Sequence, residues 1–84
     1  MSAMLITLRL SESLLSIYRA SGQELDETIV LALEGPLSIK EILESAGINP
    51  ILTPLVLLGK QTYKLDHCLE QDTVITLIGP LAGG

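Results

Sequence analysis

Leu69-Glu70-Gln71-Asp72-Thr73-Val74-Ile75-Thr76-Leu77-Ile78-Gly79-Pro80-Leu81-Ala82-Gly83-Gly84 closes the chain and decides how the rest of it is read. Thr73 to Ile78 carries apolar residues on both alternating sets, which predicts a strand buried on both faces in the middle of a sheet. The run passes directly into Gly79-Pro80 and ends on Gly83-Gly84. A diglycine with a free carboxylate is the thinnest end a polypeptide offers, with no side chain to keep it out of a narrow channel. Glycines also collect in frayed tails. Here an apolar strand and a proline stand just before them, which marks the end as aimed, and chemistry on a C-terminal carboxyl needs an end of this kind.

Working back from the tail, Leu55 to Leu58 reads as a short strand that is apolar on both sides. Gly59-Lys60 is a turn, and Gln61 to Leu65 forms a brief edge strand. Asp66 to Asp72 is a polar connection anchored by Leu69. Further upstream, Ser38 and Glu41 have the spacing of a capping box. Ile39, Ile42, Leu43 and Ala46 follow at i, i+3, i+4 and i+7, the stripe of an amphipathic helix. Gly47 ends that helix, with Ile48 placed for the contact that accompanies such a stop. Thr28 to Leu33 is a strand with Ile29, Leu31 and Leu33 on one face.

The chain opens with Met4 to Leu10, where Met4, Ile6, Leu8 and Leu10 share a face and Thr7 and Arg9 take the other. Ser11 then caps a short helix over Glu12 to Ala20, with Leu14, Leu15 and Tyr18 at helical spacing and Gly22 beyond it. The order is strand, short helix, strand, helix, strand, short strand, strand. This predicts an α+β domain with a mixed sheet of four to five strands, one main helix on one face and a second short helix. A last strand beside the first would run parallel to it at the centre and send the C-terminus into solvent. That is the β-grasp arrangement of ubiquitin-like proteins. Residues 1–80 form the domain in this reading, and 81–84 a flexible diglycine tail.

Composition limits what such a domain does. Eighty-four residues make one domain. With no Phe and no Trp the core must be Leu, Ile and Val. A net charge of −5 and only two aromatic residues speak against nucleic acid and for partners with basic surfaces. The lone Cys68 forms no internal disulfide, Met1 to Leu10 lacks the pattern of a signal peptide, and no stretch is long enough to cross a membrane. The expected location is the cytoplasm.

The chain resembles a known family along nearly its whole length: the small ubiquitin-like sulfur carriers, comprising the molybdopterin synthase small subunit and the thiamine-pathway sulfur carrier. The segment from Leu69 to Gly84 carries the resemblance, as a leucine, an acidic turn, a hydrophobic strand, a proline, a branched apolar residue, a small residue and Gly-Gly. Leu55 to Lys60 is similar to the family's strand and turn, and Ser38 to Gly47 to its helix. The segment after the first strand, and Pro80 four residues before the end, lean toward the molybdopterin branch. Leu58, Gln71 and Gly79 stand where the family more often has asparagine, glycine and proline.

The resemblance implies a carrier, not an enzyme. A ubiquitin-activating-type adenylating enzyme, using ATP and magnesium, would adenylate the carboxyl of Gly84. Sulfide or persulfide would then convert it to a thiocarboxylate. The sulfur would go to a biosynthetic intermediate in a larger synthase subunit of the molybdopterin synthase or thiazole synthase type. The carrier itself would hold no cofactor. Gly83 would complete the slim arm, Ala82, Leu81 and Pro80 would form its base, and Leu57 and Leu77 would lie on the sheet face that docks the partner. A ubiquitin-like protein modifier and a non-reactive interaction module are the alternatives.

Other chemistry-bearing residues carry less. His67 and Cys68 are too few for a structural zinc site, which takes four ligands. Cys68 reads as a partly buried, inert thiol. Glu24, Asp26 and Glu27 read as a solvated acidic loop, and Lys60 and Lys64 as exposed lysines.

Overall fold

The computed structural model describes residues 3–52 and 55–79, and Pro80 to Gly84 lie outside them. Strand β1 (Met4–Leu10) leads into helix α1 (Glu12–Ala20), and β2 (Thr28–Leu33) follows. A two-residue strand β3 (Leu37–Ser38) precedes α2 (Ile39–Ser45), and a 3₁₀ turn covers Pro50–Leu52. The chain then forms β4 (Leu55–Leu58), β5 (Gln61–Thr62), β6 (Cys68–Leu69) and β7 (Thr73–Ile78). The main sheet has five strands in the order β2-β1-β7-β4-β5, and β3 and β6 pair separately.

β7 is the central strand, as its apolar composition predicts. It runs parallel to β1, with Leu8 opposite Ile75 and Leu10 opposite Leu77. On its other side it is antiparallel to β4, with Val56 opposite Leu77. β2 is antiparallel to β1, with Ile6 opposite Leu31. These pairings put Met4, Ile6, Leu8, Leu10, Ile75, Leu77 and Val56 on one face, all buried. Leu14, Leu15 and Tyr18 of α1 and Ile39, Ile42 and Leu43 of α2 join them in a single cluster. Both helices therefore cover the same face of the sheet. Ile48 and Leu69 close the core at its margins.

Each helix start follows from its cap. The Ser11 hydroxyl accepts the Leu14 N–H at 3.3 Å. At α2 the box is reciprocal: Ser38 Oγ accepts the Glu41 N–H at 3.1 Å, and the Glu41 carboxylate accepts the Ser38 N–H at 3.0 Å. Gly47 sits at φ 77°, the left-handed conformation that ends α2, and the Ile48 N–H returns to the Leu43 carbonyl at 2.9 Å.

Three expectations are corrected. β4 and β7 are not buried on both sides: Val74 is 52% exposed and Leu55 38%, because helices cover only one face and the alternate residues point away from it. The edge strand expected over Gln61 to Leu65 stops at Thr62. A turn with the His67 N–H on the Lys64 carbonyl (3.1 Å) draws the chain inward, where the Leu65 carbonyl accepts the Lys40 N–H at 2.9 Å. The connection from Asp66 to Asp72 contains β6, a strand too short to show a period. Leu69 does anchor it. No described helix is long and apolar enough to cross a membrane.

Candidate functional site

Parallel pairing places the C-terminal ends of β1 and β7 at the same end of the sheet. The chain leaves β1 there to begin α1, and it leaves β7 there toward its C-terminus. The first residues of α1 therefore meet the residue that follows β7. The Ser11 N–H donates to the Leu77 carbonyl at 2.9 Å. The Gly79 N–H donates to Ser11 Oγ at 3.2 Å. Ser13 Oγ donates to the Gly79 carbonyl at 3.5 Å, and the two serine hydroxyls are 3.0 Å apart.

Gly79 is buried at this junction. A Cβ on it would stand 2.9 Å from Leu14 Cα, 3.0 Å from Leu14 N and 3.1 Å from Leu14 Cβ. Two of those atoms are helix backbone, which does not swing aside as a side-chain tip does, so only glycine fits without displacing α1. The sequence alone gave no sign of this role, because Gly79 stands out only as a departure from the proline of similar chains. The signal that leads to it is the Ser11-x-Ser13 pair at the start of a helix that follows a strand parallel to the last one.

Gly84, Gly83, Ala82, Leu81 and Pro80 lie outside the described residues. Of the two expected docking residues, Leu57 is half-buried and stands on the outer face, opposite Thr76 of β7 and Thr62 of β5. Leu77 is corrected. Its side chain is completely buried, because it pairs with Val56 and Leu10 on the helix-covered face. Beside the exit the outer face instead presents Ile78 with its partner Leu55. Farther from the exit, Leu5 (50% exposed), Val30 (60%) and Val74 flank Thr7 on the same face.

The remaining candidates are dispersed. Glu24, Asp26, Glu27, Lys60 and Lys64 are all exposed. Cys68 is exposed rather than partly buried, because β6 alternates and Leu69 takes the inward position. Its Sγ lies 3.8 Å from the Asp66 carbonyl. The His67 ring leans on Tyr63 at 4.6 Å between centroids. Among the described residues no three His, Cys, Asp or Glu side chains are grouped to hold a metal ion.

No protein-family model matches this sequence, and no curated protein matches it. Among solved structures, SAMP1 from Haloferax volcanii is similar, with a TM-score of 0.67 over 95% of this chain and 99% of that one, at 16% sequence identity. The likeness is one of fold alone: the chain has the β-grasp fold of ubiquitin-like proteins.

Proposed function

We propose that this protein is a sulfur carrier whose Gly84 carboxyl is adenylated by a partner enzyme and converted to a thiocarboxylate. The observation that carries the reading is the exit from β7. The central strand of a ubiquitin-like sheet leads to Gly79, and Pro80-Leu81-Ala82-Gly83-Gly84 follows it in the sequence. A carboxylate is a poor electrophile. Its oxygen attacks the α-phosphorus of ATP, pyrophosphate leaves, and an acyl adenylate forms in the partner's site. Hydrosulfide then attacks the carbonyl carbon, a C–S bond replaces the C–O bond to AMP, and AMP departs. A terminus without side chains reaches such a site without steric conflict.

In this reading the partners are an adenylating enzyme that uses ATP and magnesium and a larger synthase subunit, of molybdopterin synthase or thiazole synthase type, that takes the sulfur. The carrier supplies no general acid or base. The Leu–Ile strip at Leu55, Leu57 and Ile78 beside the exit supplies the docking face in place of the buried Leu77. The expected consequence is that Gly84→Ala, or one appended residue, abolishes sulfur transfer while the fold stays intact. Unchanged transfer by the extended chain would refute the reading.

The fold likeness to SAMP1 keeps a second reading in view, a ubiquitin-like protein modifier. Both begin with the same activated carboxyl and differ in the acceptor. A diglycine remnant on lysines of other proteins favours the modifier.

A further inference from the structure

We infer that Ser11, Ser13 and Gly79 form a clamp that fixes where and in which direction the C-terminal arm leaves the domain, which makes the two serines positioning residues for reaction at the terminus. The inference rests on the activated-terminus reading above. Three hydrogen bonds join the start of α1 to the end of β7: Ser11 N–H to Leu77 O, Gly79 N–H to Ser11 Oγ, and Ser13 Oγ to Gly79 O. Ser11 Oγ already accepts from Leu14 N–H and Gly79 N–H, so its own proton is left for Ser13 Oγ. Ser13 in turn directs its proton to the Gly79 carbonyl. Both polar groups of Gly79, the last described residue, are thereby held by side chains at the start of a helix, its cap Ser11 and Ser13, and that helix is itself packed in the core.

One hydroxyl thus performs two tasks. An N-cap alone needs only the bond to Leu14. The second accepted bond immobilises the peptide from which the arm starts, and the 2.9 Å approach to Leu14 Cα keeps position 79 without a side chain. An arm that starts from a fixed peptide samples fewer directions, so more encounters with a docked partner present the carboxyl correctly.

The test compares wild type with Ser11→Ala, Ser11→Thr, Ser13→Ala and Gly79→Ala. Two readouts are taken: hydrogen exchange at the Gly79 amide, and ATP–pyrophosphate exchange catalysed by the adenylating enzyme of the same organism. The clamp predicts a protected Gly79 amide that exchanges about tenfold faster in Ser11→Ala and regains protection in Ser11→Thr, which keeps the hydroxyl. It predicts kcat falling about threefold to tenfold in Ser11→Ala and Gly79→Ala, less in Ser13→Ala, with KM held because the docking face is untouched. A merely structural role would lower thermal stability and leave kcat of the folded protein unchanged. Equal Gly79 exchange in wild type and Ser11→Ala overturns the clamp, whatever the activity. Protected Gly79 with unchanged kcat in every variant overturns the positioning role alone. Wild type inert with the enzyme, but with Gly79 protection that Ser11→Ala removes, refutes the activated-terminus reading and leaves the clamp standing as architecture.

Discussion

The phenol oxygen of Tyr18 accepts the backbone N–H of Asn49 at 2.7 Å, tying α1 to the segment that follows α2. Neither helix is long, at nine and seven residues, and helices of that length are unstable alone. Their stability comes from the shared core and from this link across it. Tyr18→Phe keeps the ring and leaves the Asn49 N–H without its partner. Loss of that part-buried bond is expected to cost about 0.5–1.5 kcal/mol, read as a lower urea midpoint at unchanged slope.

The neighbours Val74 and Ile75 test the one-sided sheet. Ile75 is fully buried in the central strand, whereas Val74 is 52% exposed on the uncovered face. Ile75→Ala is expected to destabilise the domain by about 2–5 kcal/mol, and Val74→Thr by less than about 0.5 kcal/mol, in equilibrium unfolding. Comparable losses at the two positions would mean that something covers both faces.

Those two residues also mark where sequence reading succeeded and where it stopped. The central place of β7 was legible, because six consecutive strand-forming residues without a charge belong between other strands. Which of its faces the helices cover was not legible, because both alternating sets are apolar. Only the register against β1, where Leu8 meets Ile75 and Leu10 meets Leu77, assigns the faces. That is why Leu77 was expected on the docking side and lies in the core. β1, by contrast, carries Thr7 and Arg9 with Leu5 on one alternating set and Met4, Ile6, Leu8 and Leu10 on the other, so its inward face was legible. The caps of both helices were legible from Ser11, Ser38 and Glu41, since capping is a local matter of spacing. The link between Ser11 and Gly79 spans 68 residues and depends on strand order, so no local pattern announces it. The exposure of Cys68 is not legible for a related reason: a two-residue strand has no periodicity to show which side chain turns inward.

Glu41 gives the fold an acid-sensitive element. The Ser38 N–H, and secondarily the Ser38 side chain, stabilise its carboxylate and lower its pKa below the ordinary value of 4.5. The unfolded chain therefore takes up this proton at higher pH than the folded one. Stability from the group is fully present above the ordinary value and is lost as pH falls through the lower, folded value. Glu41→Gln retains an acceptor at the same place without a titrating carboxyl. Its unfolding free energy is expected to decline less than that of wild type on acidification from near neutral to about pH 3. Parallel pH curves for the two proteins would remove Glu41 from the acid response.

The central claim, activation and sulfuration of the Gly84 carboxyl, is tested most directly by the intact mass of the chain after incubation with its adenylating enzyme, ATP, magnesium and a sulfide source. The account predicts replacement of one oxygen by one sulfur, placed on Gly84 by fragmentation and missing when ATP is withheld. A chain that keeps its ordinary carboxylate under those conditions and draws no pyrophosphate release, while the same enzyme preparation adenylates another carrier, would contradict it.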